Sequence, residues 1–256
     1  MADVLLVTGG ARGIGRAVVE LAAISGFDVA VGYRADGDAA EAVVKAARAQ
    51  GRRAIAVKAD VAEEADVVGM FEQVEAALGP VRALVNSAGV STRMRVDQAP
   101  VAELQRLMAV NVVGLMLCCR EAARRMSTTN GGAGGAIVNV GSMAAAFGGR
   151  PGASHYAGSK GAVDSFTKGF AREVAKEGIR VNGVRPGVTL TDMVEAVRDD
   201  PEKRAAISAT IPMGRPAEAS EIAAPIVWLL SPKASFVTGC IVDASGGGFV
   251  IGAGTG

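Results

Sequence analysis

Val4-Leu5-Leu6-Val7-Thr8-Gly9-Gly10-Ala11-Arg12-Gly13-Ile14-Gly15 is the stretch that decides the fold. Its first five residues are apolar or β-branched and read as a strand buried on both faces. Gly9, Gly13 and Gly15 permit a tight turn and a close backbone approach where a helix over 14–25 begins. The free N–H groups and the dipole at such a helix start suit a pyrophosphate. The spacing is G-x-x-x-G-x-G, which differs from the G-x-G-x-x-G fingerprint. A glycine cluster by itself is as often a plain turn. Directly after the first strand of an alternating chain it becomes a candidate nucleotide site, with Gly9, Ala11, Arg12, Gly13 and Ile14 as its contacts.

Outward from that stretch, short apolar runs alternate with longer helical ones. Strands are predicted at 29–33, 54–58, 83–86, 136–140, 179–184 and 240–243. Helices are predicted at 37–50, 63–78, 101–126, 154–177, 191–210 and 217–230. The alternation predicts an α/β fold, a Rossmann-like doubly wound parallel sheet of about seven strands with helices on both faces. The glycine-rich stretch 128–135 joins a helix to a strand and is too short for an interdomain linker, so residues 1–256 are expected to form a single domain.

Composition narrows the function. The formal net charge is +1, which gives no support for nucleic-acid or membrane-surface binding. The first residues carry no basic region followed by a long apolar stretch, so no signal peptide is expected. No run of 18 or more apolar residues suggests a membrane span. Three cysteines, Cys118, Cys119 and Cys240, and a single histidine, His155, argue against a structural zinc site or a zinc-dependent dehydrogenase, and no metal is expected. They also exclude a Ser-His-Asp hydrolase unless His155 is its base. The odd, unspaced cysteines fit a reducing cytoplasm.

Tyr156 and Lys160 stand four apart in His155-Tyr156-Ala157-Gly158-Ser159-Lys160, hence on one face if the segment is helical. A free tyrosine has a pKa of about 10. An ammonium about 4 Å away at an effective dielectric of about 20 is worth roughly 4 kcal/mol, enough to bring a phenol into the range for acid–base work. A Y-x-x-x-K match alone is more often a solvated helix face. On a helix, His155 points about 100° away from Tyr156 and reads as a pocket-wall or surface residue.

The second strand ends in Tyr33-Arg34, where many NAD enzymes place an acid for the ribose hydroxyls. Arg34 and Arg12 suit a 2′-phosphate instead, so NADP(H) is expected over NAD(H), which stays possible because Asp36 and Asp38 lie nearby. After the third strand, Asp60-Val61 can accept from the adenine amino group or cap the next helix.

Together these residues carry a resemblance. Thr8-Gly9 with Gly13 and Gly15, Asp60, Asn86-Ser87-Ala88-Gly89, Asn111, Ser142, Tyr156 with Lys160, and Pro186-Gly187 follow the order and spacing of the short-chain dehydrogenase/reductase family, over essentially the whole chain. The resemblance implies that Tyr156 exchanges a proton with the substrate oxygen and that Ser142 hydrogen-bonds that oxygen. It implies that Lys160 binds the nicotinamide ribose and lowers the tyrosine pKa, and that Asn111 bends its helix and holds a water linking Lys160 to solvent. Asn86, Ala88 and Gly89 would face the adenosine ribose, Val188 the carboxamide after Pro186-Gly187, and Thr189 the pyrophosphate. Ser87 departs from the family's usual second asparagine, which puts in doubt the bracing of the fourth strand. The segment from Thr191 to about Met213 would be the substrate lid.

The resemblance implies an oxidoreductase interconverting a carbonyl and a secondary alcohol. A 3-oxoacyl-carrier-protein reductase-like enzyme, a sugar (glucose-type) dehydrogenase and a generic ketone reductase are alternatives, with a non-catalytic dinucleotide sensor as the rival of another class. An acyl-carrier reductase should present a basic patch, to which Arg93, Arg95, Arg124 and Arg125 are candidates. The 101–126 helix, with Leu104, Leu107, Met108, Leu115 and Met116 beside the small Ala109 and Gly114, looks two-sided. By analogy a homotetramer is expected, with a dimer as runner-up.

Overall fold

The computed structural model describes residues 2–191 and 199–248. Among these, seven strands, β1 Val4–Thr8, β2 Asp28–Tyr33, β3 Ala54–Lys58, β4 Val81–Asn86, β5 Gly135–Val140, β6 Ile179–Pro186 and β7 Ile241–Ala244, form one sheet. Their order is β3-β2-β1-β4-β5-β6-β7, and every neighbouring pair is parallel. The chain winds outward from β1 through β2 to β3, then crosses to β4 and winds the other way. A crevice therefore opens at the carboxyl ends of β1 and β4, where such sheets place ligands.

The helices are α1 Gly13–Ile24, α2 Gly37–Ala49, α3 Glu64–Leu78, α4 Val101–Met108, α5 Leu115–Met126, α6 Ala144–Phe147, α7 Ser154–Val174, α8 Pro201–Ser208 and α9 Ala219–Leu230. One face of the sheet is covered by α1, α2 and α9 through Val18, Val19, Val43, Val44, Ile222 and Ile226. The other is covered by α3, α5 and α7 through Met70, Phe71, Leu115, Cys119, Met126 and Val163. With both faces dry, β1 is buried at every position, which is why it reads as an unbroken apolar run.

The expected 101–126 helix is continuous but not uniform. Between α4 and α5 lies a π-helical stretch, Ala109–Gly114. At its end the backbone makes a close approach: a Cβ on Gly114 would meet the Val61 carbonyl oxygen at 2.5 Å. Gly114 is therefore buried against β3's exit loop and not displayed to a partner, which corrects the two-sided reading at that position. Leu107 and Leu115 also face inward, whereas Met108 and Val113 remain exposed. By length and composition the helix Val101–Met126 could cross a membrane, with a mean hydropathy of 1.5 over its most apolar window. Here its buried face belongs to the core.

Residues 192–198, which include the first part of the expected 191–210 helix and of the lid, lie outside the described residues; α8 is the part described. The short α6 in the loop after β5 was not anticipated.

The carboxyl end of α9 shows how one charge holds an element. Four carbonyls converge on Arg180 of β6: those of Leu229 at 2.7 Å and of Leu230, Ser231 and Val237 at 3.3 Å each. The guanidinium satisfies the unpaired carbonyls of the last turn. Arg180→Met is expected to lower the unfolding free energy by about 2–4 kcal/mol, because buried acceptors lose charge-assisted donors. Urea denaturation checks this; coincident midpoints for the two proteins would remove the cap from the account.

Candidate active site

The turn after β1 is built by contacts that exclude side chains. Gly9 has φ +65°, and a Cβ there would sit 2.8 Å from Ala88 Cα. A Cβ on Gly15 would overlap the Gly9 carbonyl oxygen. The turn thus packs directly on the segment after β4, where Ala88 N–H donates to Thr8 Oγ1 at 3.3 Å. Arg12 is the N-cap of α1 and no side chain caps that helix. The first-turn N–H groups of Gly13 and Ile14 are left for an anion, so this cradle fits a dinucleotide pyrophosphate.

Arg12 and Arg34 are exposed beside it. Arg12 lies 4.0 Å from Asp36, whose Oδ1 accepts the Ala39 N–H and so caps α2. Asp60 is committed on both oxygens: Oδ1 accepts the Ala62 N–H at 3.1 Å and Oδ2 accepts from Arg106 at 2.6 Å. It therefore closes a turn ahead of α3 and pairs with α4. Burial pushes its carboxyl up, but the bonds from Arg106 and Ala62 and the charges of Arg106 and Arg34 outweigh burial and hold it below its ordinary value. Arg106 was not found from the sequence, since nothing local links it to Asp60.

Bracing of β4 runs through Asn86 instead of Ser87. Asn86 donates to Asn139 Oδ1 at 2.9 Å and to Cys119 Sγ at 3.3 Å. Asn139 in turn donates to Thr167 Oγ1 at 2.9 Å. This buried line ties β4, β5 and α7 together. The doubt raised by Ser87 is answered by a side chain one residue earlier.

At the carboxyl ends of β4 and β5 the remaining residues converge. Tyr156 and Lys160 lie one turn apart on α7, with Ser142 close enough to the Tyr156 phenol to act on its proton affinity. Ser142 Oγ accepts the Ala144 N–H at 3.1 Å, at the start of α6. Asn111 clasps Val90 from both sides, accepting its N–H at 2.8 Å and donating to its carbonyl at 2.9 Å, and donates to Ser159 at 3.1 Å. Both amide protons of Asn111 are used inside the protein. A Cβ on Gly89 would meet Asn111 Oδ1 at 3.4 Å and Lys160 Nζ at 3.7 Å, so its backbone runs over both.

The electrostatics correct one expectation. Burial pushes the Tyr156 phenol above its ordinary value, with the Ser142 hydrogen bond opposing. Lys160 does not reverse this. Its Nζ is 6.0 Å from the Tyr156 ring centroid and donates to the Val140 carbonyl at 2.8 Å. Burial pushes Lys160 down to about 8, with Asp164 opposing.

The far wall is tied together. His155 Nε2 lies 3.0 Å from Thr92 Oγ1 and 3.1 Å from the Thr92 carbonyl, and the Met94 N–H donates to the Gly152 carbonyl at 2.8 Å. His155 thus ties the start of α7 to the loop after β4. After β6, Gly187 N–H donates to the Ala244 carbonyl, Thr189 Oγ1 to the Gly187 carbonyl, and the Val188 carbonyl accepts from Ala217. Pro186 to Thr189 is therefore fixed between β7 and the start of α9. Of the other arginines, Arg95 pairs with Asp97, while Arg124 and Arg125 pair with the buried Glu121 of α5.

The family sequence model described as Enoyl-(Acyl carrier protein) reductase matches residues 9–248. The chain belongs to the short-chain dehydrogenase/reductase family. Among the family's members, the "Uncharacterized oxidoreductase YgfF" of Escherichia coli (strain K12) is 45% identical over 245 residues, covering 95% of this chain and 99% of that one. The 3-oxoacyl-[acyl-carrier-protein] reductase FabG of Staphylococcus aureus (strain Mu50 / ATCC 700699) is 34% identical over 242 residues, covering 94% and 96%. A blue fluorescent protein from a metagenomic library, solved in complex with NADPH, superposes with a TM-score of 0.89 at 35% identity, covering 97% and 98%. As a short-chain dehydrogenase/reductase, the protein is an oxidoreductase enzyme.

Proposed function

We propose that this oxidoreductase interconverts a carbonyl and a secondary alcohol with NADP(H), and that Tyr156 is its general acid/base. The observation that carries the reading is the convergence of Ser142, Tyr156 and buried Lys160 at the carboxyl ends of the strands beside the glycine turn. The nicotinamide ring supplies or accepts the hydride when bound. Ser142 and Tyr156 direct two hydroxyls toward one substrate oxygen and fix its position. A phenol held above its ordinary pKa by burial is protonated at neutral pH, which suits proton donation during reduction. Lys160 supplies positive charge one turn away for a phenolate formed in the opposite direction. Asn111 holds Val90 and Ser159 so that the backbone over Lys160 stays in place, and would hold a water linking Lys160 to solvent.

Gly9, Ala11, Arg12, Gly13 and Ile14 would hold the pyrophosphate, with Thr189 near it. Tyr33, Arg34, Asp60 and Val61 would surround the adenosine, Asn86, Ala88 and Gly89 the adenosine ribose, and Pro186, Gly187 and Val188 the nicotinamide end. Preference for NADP(H) over NAD(H) is supported by two exposed guanidiniums and by Asp36 being engaged as a cap. Arg34→Asp is expected to weaken NADP(H) binding by about 10- to 100-fold, the value of one or two charge-assisted hydrogen bonds, with little change for NAD(H). Titration of both dinucleotides reads this out, and equal losses would sink the 2′-phosphate assignment.

The 3-oxoacyl-carrier-protein reductase reading is favoured by the S. aureus relative. It is disfavoured by Arg124 and Arg125, whose charges Glu121 already engages. We further propose a cytoplasmic homotetramer. An apolar groove of about 500 Å³ between α5 and α7, lined by Val113, Met116, Leu117, Ala123, Phe166 and Phe170, supports the assembly. Free thiols at Cys118, Cys119 and Cys240 support the reducing compartment.

A further inference from the structure

We infer that Asp164 is a positioning residue of the proton-transfer site: it keeps Lys160 in its ammonium form from one turn further along α7, and Arg185 of β6 fixes Asp164 where it can do so. The inference rests on the proposed role of Lys160 and deepens it.

Lys160 and Asp164 are both buried, at 5% and 6% exposure. They stand four apart on α7, hence on the same face. Both side chains reach the end of β5. Lys160 Nζ donates to the Val140 carbonyl at 2.8 Å. A Cβ built on the next residue, Gly141, would lie 3.1 Å from Asp164 Oδ1. Asp164 Oδ2 accepts from Arg185 Nε at 2.8 Å, and Arg185 Nη1 donates to Asp243 Oδ1 at 3.3 Å. The charges therefore alternate from the cleft outward: Lys160, Asp164, Arg185, Asp243. The Asp243 side chain, 47% exposed, ends the line at the surface.

Alternation is what allows two cations to share this interior. A buried charge without a counter-charge is neutralised or expelled. An asparagine at 164 would keep the shape and an acceptor for Arg185, but would leave Lys160 and Arg185 with no anion between them. The groups facing Lys160 leave no substitute. Asp164 acts on Lys160 directly, whereas Lys168 and Arg185 act on Asp164, and Asp243 acts on Arg185. The Val140 carbonyl, Asn111 and Ser142 do not titrate. Burial pushes Lys160 down to about 8 even with Asp164 in place, so the carboxylate is what keeps it charged at neutral pH.

The test follows Lys160 directly. Lysine labelled with 13C at Cε is titrated by NMR in the folded protein without dinucleotide or substrate, and Lys160→Met assigns the signal. Asp164→Asn is expected to lower the Lys160 midpoint by about one pH unit or more, and Asp164→Glu to restore it. Should Asp164→Asn fail to fold, the pair Asp164→Asn with Arg185→Met removes both charges and carries the same expectation. An unchanged midpoint overturns the inference whether or not the protein turns over a ketone, so its failure is distinct from that of the catalytic reading. In turnover, the acid limb of alcohol oxidation is expected to shift to higher pH in Asp164→Asn, because the phenolate loses a neighbouring positive charge. Reduced yield of folded protein with an unshifted limb would make Asp164 structural only.

Discussion

Tyr156→Phe is expected to reduce turnover by about 10²- to 10⁴-fold or more while leaving dinucleotide affinity nearly unchanged. The substitution removes one hydroxyl and keeps the ring. Ser142 Oγ retains the Ala144 N–H, so α6 keeps its start. The glycine turn lies on other elements and loses no contact. Only the group that gives a proton to the substrate oxygen is gone. Steady-state oxidation of NADPH with a panel of ketones, beside fluorescence titration of the dinucleotide, separates the effects. Turnover within tenfold of the parent would remove Tyr156 from the chemistry. Binding without turnover in either protein would favour a dinucleotide sensor.

Lys160→Met is expected to move activity and stability in opposite directions. Lys160 is buried, and its pKa falls from an ordinary 10.5 to about 8. The folded state therefore holds its ammonium less well than the unfolded chain does, by about 3 kcal/mol. The sign follows from proton binding. Below pH 8 both states carry the proton and the full cost is present. Between about pH 8 and 10.5 the unfolded chain binds more protons, so stability rises with pH through that window. Methionine at 160 has no such cost, although the Val140 carbonyl loses its donor, which offsets part of the gain. At pH 7 the variant should be more stable by on the order of 1 kcal/mol, and as pH rises toward 10.5 the gap should close and then reverse in favour of the wild type. Turnover should fall by about 100-fold or more. Urea midpoints at a series of pH values decide the matter. A wild type with flat stability across the window would show that the lysine is not destabilised by burial.

The architecture was legible because its strands are buried on both faces and so read as apolar runs, and because glycine is required wherever the β1 turn meets Ala88. The sequence order of Ser142, Tyr156 and Lys160 identified the cluster that the fold assembles. What it did not contain was tertiary contact. The Val61 backbone meets Gly114 far along the chain, and Asp60's partner Arg106 lies on α4, 46 residues on. The burial around Tyr156, which pushes its phenol up, is not visible in a four-residue spacing. Asp164 shares the four-residue spacing but was not singled out, and its counterpart Arg185, 21 residues on, has no local signal.

The ties between Thr92 and His155, and between Met94 and Gly152, bear on any attempt to re-engineer selectivity. Two stretches that are remote in the chain behave as one mould. Swapping in a homologous loop on one side alone would strand a ring nitrogen and a carbonyl on the other. Grafting new selectivity onto this scaffold therefore calls for exchanging both halves in a single step.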